Sequence, residues 1–226
     1  MRIVRVAGLE GARAARGLVV VIDVLRAFTV SAYALAGGAR EVLYVADLEE
    51  ARAVAAGIPG AVLCAEVDGL PVPGVAISNS PTMVAAADLA GRTLVQRSSA
   101  GVQALAAVPG SVPGLFAAGL VVAGATAQAI RERQPGLVTL VASRGDHPED
   151  GACAAYLAEL LAGRRPDLER LLAPLRATNR YRDLAAGTTP GFPPSDLELS
   201  LTVDRFDFAL PVEARAGRPL GVSSPR

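Results

Sequence analysis

The segment LVVVIDVLRAFTVSAYAL, residues 18–35, predicts a buried strand that runs directly into a helix. Its first part, Leu18–Ile22, is entirely apolar and mostly β-branched, a pattern typical of a strand that is buried on both faces. Ala-rich sequence with helical spacing follows over residues 24–35. A buried strand followed by a helix is the repeating unit of α/β folds, in which helices cover a sheet.

The same alternation of strand and helix recurs along the chain. Further strands are predicted at residues 42–45, 61–64, 93–95, Leu120–Val122 and Leu137–Ala142, and further helices at residues 48–56, 82–90, 102–107 and 153–161. Residues 197–203 alternate apolar and polar side chains before the apolar residues 206–212, so this part is either a half-exposed strand or a passage from helix to strand. We therefore expect an α/β fold with a mostly parallel or mixed sheet flanked by helices, and residues 1–226 form a single compact domain.

The composition excludes several classes of function. All 22 basic residues are arginine, so lysine-dependent chemistry such as Schiff-base catalysis is ruled out, as is the P-loop motif for phosphate binding. With 22 acidic residues, no Trp and 4% aromatic residues, the chain lacks the basic, aromatic surface of a nucleic-acid-binding protein. We expect no nucleic-acid partner.

The uncharged stretches and the cysteines predict the compartment. Residues 98–130 carry no charge, but a Pro- and Gly-rich turn at residues 109–114 divides them into pieces too short to cross about 30 Å of hydrocarbon. The apolar run that ends at Asp23 does not form a signal peptide. Cys64 and Cys153 are interpreted as small core residues of a cytoplasmic protein without membrane contact or a disulfide.

Polar residues concentrate where predicted strands end, which is where open α/β sheets bind their ligands. Asp23 ends the first strand and Arg26 follows three residues later, a spacing that places both on one helix face. They are candidates for catalysis, and the ordinary alternative is a helix N-cap with a local ion pair. Glu66 follows the strand at residues 61–64, either as a functional carboxylate or as part of an exposed turn.

Two further junctions carry groups that bind anions. Asn79 and Ser80 precede a proline, which is favoured at the first helical position, so they either cap a helix or present donors to an anion. Ser98 and Ser99 precede Gly101 at the start of the next predicted helix, in a segment that cradles phosphate as readily as it turns.

The last junction is rich in acidic side chains. Its three carboxylates lie within five residues: Asp146, Glu149 and Asp150. This is more than a helix cap requires, and clustered oxygen ligands suit Mg²⁺. Arg144 and Gly145 precede the acidic residues, and His147, the only histidine, is interpreted as a solvated loop residue. Together the junctions predict a site for a small, strongly anionic molecule and a divalent cation.

These motifs follow one another in a definite order along the chain. In sequence they are Asp23-Val24-Leu25-Arg26-Ala27, Glu66, Asn79-Ser80-Pro81, Arg97-Ser98-Ser99-Ala100-Gly101, Gly145 with Glu149-Asp150, and Asp204-Arg205-Phe206-Asp207 leading to Leu210-Pro211-Val212. Their order and spacing resemble the 2-phosphosulfolactate phosphatase family, the ComB-like proteins. The resemblance spans nearly the whole chain, and the first motif and the Asn-Ser-Pro motif are its most specific parts.

The resemblance implies a Mg²⁺-dependent phosphatase with an α/β fold that hydrolyses 2-phosphosulfolactate to sulfolactate and phosphate. Under that expectation, the catalytic residues are Asp23, Arg26, Glu149 and Asp150, the metal ligands are Asp23, Glu66 and Asp150, and the substrate-binding residues are Asn79, Ser80, Ser98, Ser99, Gly101, Arg144 and Gly145. Direct attack by water and transfer through a phosphorylated carboxylate are both compatible with this set, because both need a carboxylate beside a metal.

Two other functions stay open. A phosphatase for another phosphorylated hydroxy acid would use the same residues, and a non-catalytic protein that binds phosphorylated metabolites would use the same donors. The acidic residues argue against the second, because carboxylates around an anion help only when a cation is present. In each case the partner is a small anionic organic phosphate, and a homodimer is the default oligomer.

Overall fold

One mixed sheet of ten strands runs through the protein, with helices packed on both of its faces. The computed structural model describes residues 1–215 and 218–225. The strands in chain order are β1 (Arg2–Ala7), β2 (Leu18–Ile22), β3 (Glu41–Tyr44), β4 (Val62–Val67), β5 (Leu70–Pro71), β6 (Thr93–Arg97), β7 (Leu115–Ala118), β8 (Leu137–Ala142), β9 (Leu210–Arg215) and β10 (Arg218–Ser223). The helices are α1 (Gly8–Ala14), α2 (Ala27–Ala36), α3 (Leu48–Gly57), α4 (Pro81–Ala86), α5 (Gly101–Ala107), α6 (Ala123–Arg133), α7 (Pro148–Leu161), α8 (Leu168–Arg176), α9 (Asn179–Ala186) and α10 (Pro194–Leu201). Within the described residues, no helix is both long and apolar enough to cross a membrane.

The sheet joins two parallel halves through an antiparallel pair. Its strand order is β1-β8-β2-β7-β9-β10-β3-β6-β4-β5. Strands β1, β8, β2 and β7 pair in parallel, as do β3, β6 and β4, whereas β9 and β10 pair antiparallel with each other and with their outer neighbours. The two halves therefore run in opposite directions along the sheet. The carboxyl ends of β2 and β6 meet nonetheless, since the Gly101 amide after β6 donates to Asp23 after β2.

Strand β2 shows why the chain adopts this arrangement. All of its residues are buried, and alternate side chains enter two different cores. Val19 and Val21 pack with apolar residues of α2, α4 and α5, whereas Val20 and Ile22 pack with α6, α7 and the helices that follow them. A strand with a core on each face has no polar side, which explains its continuous run of apolar residues.

Most of the predicted elements are confirmed. The predicted strands correspond to β2, β3, β4, β6 and β8, and the predicted helices to α2, α3, α4, α5 and α7, although α7 begins five residues earlier, at Pro148. Residues 197–201 lie in α10 and the chain then enters β9, so the passage from helix to strand is the correct alternative. The elements without a matching prediction are strands β1, β5, β7 and β10 and helices α1, α6, α8 and α9.

The strand predicted at Leu120–Val122 is wrong, because these residues form a short 3-10 helix. The strand of this region is β7, which ends at Ala118, and the chain passes through an extended Gly119 before it turns towards α6. All three side chains of the 3-10 helix are fully buried. They are as hydrophobic as a buried strand but have helical backbone geometry. A short apolar run does not distinguish a buried strand from a buried helical segment.

Candidate active site

A cavity of about 660 Å³ opens where the carboxyl ends of β2, β4, β6 and β8 come together. Its wall contains many of the residues that the sequence predicts for the site: Asp23, Arg26, Glu66, Asn79, Ser99 and Arg144. Arg180 and Asp183 of α9 and Phe192 of the following loop also line it. Residues that are far apart in the chain thus meet, because four strands end at the same space and α9 with its following loop covers it.

Asp23 lies between β2 and α2 and is 3% exposed. Its Oδ1 accepts the Ala27 amide at 3.0 Å at the start of α2, and its Oδ2 accepts the Gly101 amide at 2.8 Å. Burial raises the pKa of Asp23 from 3.8 to about 6 against the effect of these donors, and the charges of Glu66 and Glu149 raise it further. Position 101 requires glycine, because a Cβ would stand 2.7 Å from Asp23 Oδ2.

Glu66 is fixed by the turn that follows β4 and by the loop that follows β6. Its Oε1 accepts the Ser99 amide at 2.5 Å, and its Oε2 accepts the Gly69 amide at 2.6 Å. The Ser99 hydroxyl is also engaged, since it accepts from Arg97 Nη1 at 2.8 Å. A second carboxylate is thereby held in the cavity wall with one backbone donor on each oxygen, which leaves lone pairs for a ligand.

Arg26 is held in a buried ion pair, and its partner is not Asp23. Helix α2 begins one residue after Arg26, so Asp23 and Arg26 both precede the helix. The prediction that they share one helix face is wrong. Arg26 Nη1 lies 2.7 Å from Oδ2 of Asp196 on α10, and the guanidinium stands 4.3 Å from the centre of the Phe192 ring. The local ion pair considered for this motif is therefore wrong. Asp23 is not the N-cap either, because Arg26 holds that position, although Asp23 accepts the first amide of α2 from Ala27.

Asp196 connects Arg26 to the start of α4. It is fully buried, and its Oδ1 accepts the Ser80 hydroxyl at 2.7 Å and the Thr82 amide at 3.0 Å. Ser80 also caps α4 and is fully buried outside the cavity wall, whereas Asn79, one residue earlier, lies in the wall. No sequence pattern indicates Asp196, because an Asp in the first turn of a helix after prolines has the pattern of an ordinary surface acid.

The other predicted substrate-binding residues lie behind or beside the cavity. Ser98 Oγ accepts the Val102 amide at 3.0 Å in a buried position. Gly145 lines a neighbouring cavity of about 450 Å³, which shares Arg144 and His147 with the main cavity. The roles of Ser98 and Gly145 in substrate binding stay predictions.

Two further carboxylates, Glu149 and Asp150, are fully buried in the first turn of α7. Glu149 Oε1 accepts from Arg180 of α9, whereas Oε2 has no hydrogen-bond partner in the described part of the chain. Asp150 accepts one backbone amide and one serine hydroxyl, each at 2.8 Å. Burial raises the pKa of Asp150 well above 3.8, and the charges of Asp23 and Glu149 raise it further.

His147 lies in the cavity wall and is not the solvated loop residue that the sequence suggests. Its side chain is 19% exposed, and Nδ1 lies 3.7 Å from Glu149 Oε1. Burial lowers the pKa of His147 below 6.5, and the charge of Arg180 lowers it further. Burial thus favours the neutral form of this imidazole.

The acidic residues fit a divalent cation. An unpartnered buried oxygen on Glu149 and raised pKa values at Asp23 and Asp150 are the features that a nearby cation would relieve. Residues 1–215 and 218–225 contain no group of three or more His, Cys, Asp or Glu side chains placed to hold a metal by themselves. Mg²⁺ needs only one or two carboxylates and completes its coordination with water and substrate oxygens. Of the three predicted ligands, Asp23 and Glu66 line the cavity, together with Asp68 and Asp183, whereas Asp150 lies outside its wall. The three metal assignments stay predictions.

Curated proteins similar to this chain share one name. A protein of Bacillus subtilis named "probable 2-phosphosulfolactate phosphatase" is 36% identical over 147 residues, which cover 64% of this chain and 64% of that protein. Proteins of the same name from Parasynechococcus marenigrum and Carboxydothermus hydrogenoformans are 40% identical over 150 residues and 37% identical over 147 residues. These matches cover 62% and 64% of this chain and 62% and 60% of the two proteins. This chain thus spans less than two thirds of the length of each of these relatives.

A family comparison covers a longer part of the chain. The model of the 2-phosphosulpholactate phosphatase family matches residues 4–184, which include every strand end that contributes to the cavity. Because the match extends over most of the chain and contains Asp23, Glu66, Asn79 and Asp150 in their structural positions, this protein belongs to the 2-phosphosulpholactate phosphatase family.

Proposed function

We propose that this protein is a Mg²⁺-dependent phosphatase that hydrolyses 2-phosphosulfolactate to sulfolactate and phosphate. The observation that carries the proposal is the presence, in one cavity, of the carboxylates of Asp23 and Glu66 and the guanidinium groups of Arg144 and Arg180. Carboxylates suit a divalent cation, and guanidinium groups suit the oxyanions of a small organic phosphate. The names of the relatives suggest the substrate.

The arginines account for how such a ligand would bind. The proposed substrate carries a carboxylate, a sulfonate and a phosphate group of about −1.5 to −2 charges. Arg144 and Arg180 have side chains that are 48% and 33% exposed, so both are accessible to a ligand from solvent. We assign them to the anionic groups of the substrate, which a guanidinium binds through two parallel N–H donors. All three cavity arginines pair with a carboxylate, but the Arg26 side chain is only 3% exposed, so Arg26 is less accessible to a ligand than Arg144 and Arg180.

The carboxylates account for the metal requirement. Asp23 and Glu66 would hold Mg²⁺ at the cavity wall, while Glu149 and Asp150 add negative potential behind Asp23 that strengthens cation binding. When bound, Mg²⁺ neutralises charge on the phosphoryl group. The backbone donors on Asp23 and Glu66 keep both carboxylates in one orientation, so little reorganisation is needed when the cation and the ester enter.

Phosphate release from 2-phosphosulfolactate by the purified protein tests this proposal. We expect release with Mg²⁺, loss of release with EDTA, and a decrease in kcat of about 100-fold or more in Asp23→Asn, because that variant removes a negative charge beside the cation. Glu10→Gln is the matched control, since Glu10 is a carboxylate on α1 whose side chain is 94% exposed. Its kcat should equal that of the wild-type protein.

A panel of other phosphorylated hydroxy acids separates the outcomes. Release from another ester but not from 2-phosphosulfolactate would retain the phosphatase and replace the substrate. Full activity of Asp23→Asn, or of the wild type in EDTA, would contradict the assigned cation site. If no ester is hydrolysed but one binds tightly by calorimetry, the protein is a binding protein for phosphorylated metabolites.

A further inference from the structure

A chain of buried hydrogen bonds leads from the core to Asn79 in the cavity wall, and the catalytic proposal makes no use of it. Gln96, the fourth residue of β6, is fully buried, and its Nε2 donates to Asn79 Oδ1 at 2.8 Å. The same Nε2 donates to the Ala27 carbonyl at 2.7 Å. Gln96 Oε1 accepts the Ser31 hydroxyl at 2.7 Å, and the Ser31 oxygen accepts the Tyr44 hydroxyl at 3.1 Å.

These contacts fix the orientation of the Gln96 amide. The Ala27 carbonyl can only accept a hydrogen bond, so the end of the Gln96 side chain that faces it must be the NH₂ group. Rotating the amide by half a turn would place Oε1 against that carbonyl oxygen and leave two buried acceptors facing each other. Ser31 satisfies Oε1 on the other side. Gln96 therefore offers a donor, and never an acceptor, to Asn79.

The orientation of Asn79 follows from that of Gln96. Because Nε2 of Gln96 is a donor, the end of Asn79 that faces it must be the carbonyl oxygen. The NH₂ group of Asn79 is then at the other end of the amide, in a residue that lines the cavity, and no described residue accepts from Nδ2. Asn79 consequently presents a donor to a ligand and has its acceptor oxygen engaged in the core.

We propose that Gln96 is a positioning residue that turns the Asn79 amide so that Nδ2 donates to an anionic oxygen of the ligand. The proposal rests on the proposed function for the identity of the ligand as a phosphate ester. The proposal also assigns different ligands to two parts of the cavity wall. Asp23 and Glu66 offer only acceptors and take the cation, whereas Asn79, whose oxygen is engaged, takes the anion and is not a metal ligand.

A double-mutant cycle on Gln96 and Asn79 tests the proposal, with inorganic phosphate as the probe in buffer containing MgCl₂. Calorimetric titration should show that Asn79→Ala weakens phosphate binding about tenfold, the range for a hydrogen bond to a charged group. Gln96→Leu should weaken phosphate binding about fivefold in the wild-type background. In the Asn79→Ala background the same substitution should weaken phosphate binding less than about twofold, because no Asn79 amide is left for Gln96 to orient. A merely structural effect of Gln96→Leu would be the same in both backgrounds.

Tyr44→Phe is the matched control for the loss of a buried hydrogen bond. It removes the outer donor to Ser31 but leaves the bonds from Gln96 to Ala27 and to Asn79 in place. Its Kd for phosphate should stay within about twofold of the wild-type value, even if the loss of the buried hydrogen bond lowers its melting temperature.

A measurement on the wild-type protein covers the case in which Gln96→Leu does not fold. The side-chain NH₂ signal of Asn79 in a ¹H–¹⁵N spectrum, assigned by its loss in Asn79→Ala, should shift when phosphate is added. An unmoved signal with phosphate bound, equal affinity of Asn79→Ala and wild type, or additive effects in the cycle would each overturn the inference while the phosphatase proposal stands. Failure of the wild-type protein to bind phosphate would overturn both.

Discussion

Replacing Asp23 with Asn should remove part of the pH dependence of stability, and the sign of the effect follows from burial. The pKa of Asp23 in the folded protein is raised from 3.8 to about 6. Below pH 3.8 the carboxyl group is protonated in both the folded and the unfolded chain. As the pH rises towards 6, the unfolded chain releases the proton while the folded protein retains it, so the free energy of unfolding falls. At higher pH the carboxyl group is ionised in both the folded and the unfolded chain, and the decrease in the free energy of unfolding stays constant.

The size of the loss follows from the same two values. A shift from 3.8 to about 6 corresponds to roughly 3 kcal/mol at about 1.4 kcal/mol per unit, of which about 2 kcal/mol falls between pH 4.5 and pH 8. Asp23 also raises the pKa of Asp150, so neutralising position 23 lowers the repulsion there as well and acts in the same direction. An Asn at position 23 would place its NH₂ group against the Gly101 amide, but that defect is independent of pH.

Urea denaturation followed by circular dichroism in EDTA measures this effect. We expect the stability of Asp23→Asn relative to wild type to increase by about 2 kcal/mol between pH 4.5 and pH 8. Glu10→Gln, which changes an exposed carboxylate, should give a difference from wild type that is nearly constant over the same range. If the difference for Asp23→Asn is equally constant, Asp23 titrates normally in the folded protein and the argument from burial is refuted.

Two further substitutions test the supports of the site. Arg26→Ala should lower the free energy of unfolding by about 3–5 kcal/mol in urea denaturation, because it leaves the fully buried Asp196 without its counter-charge; a loss below about 1 kcal/mol would contradict this. Gly101→Ala places a Cβ 2.7 Å from Asp23 Oδ2 and should cost about 1–3 kcal/mol of stability and at least about tenfold in the rate of phosphate release. Gly110→Ala, where a Cβ meets nothing within 4 Å, is its control and should leave the rate unchanged; equal effects of the two substitutions would show that the close approach to Asp23 is unimportant.

The sheet could be predicted where burial leaves a local signal in the sequence. Strand β2 is buried on both faces, so a continuous apolar run identifies it, and the helix after it has a different spacing. Strand β1 has no such signal, because none of its residues is fully buried: Ile3, Val4 and Val6 are half-buried and the rest, including two arginines, are exposed. The 3-10 helix at Leu120–Val122 was mistaken for a strand for the opposite reason, since full burial alone does not specify backbone geometry.

The site could be predicted as a location but not as a set of contacts. Placing Asp23, Glu66 and Asn79 at strand ends was enough to bring them to one cavity. Whether a side chain faces the cavity or caps a helix depends on its own hydrogen bonds, which is why Ser80 lies outside the wall while its neighbour Asn79 lies in it. The ion pair of Arg26 with Asp196 joins residues that are 170 positions apart, and no local pattern encodes such a contact.

The distribution of buried charge links the stability of the fold to the ligand. Arg26 neutralises Asp196 and Arg180 neutralises one oxygen of Glu149, whereas Asp23 and Asp150 receive only amide and hydroxyl donors. Those donors hold the two carboxylates in fixed positions, where the charge of Asp23 raises the pKa of Asp150 and the charge of Glu149 raises the pKa of both. The folded protein therefore retains a repulsion that its own residues do not relieve. A neutral side chain at either position would remove this repulsion, so stability alone does not account for these acids, whereas the divalent cation proposed above would.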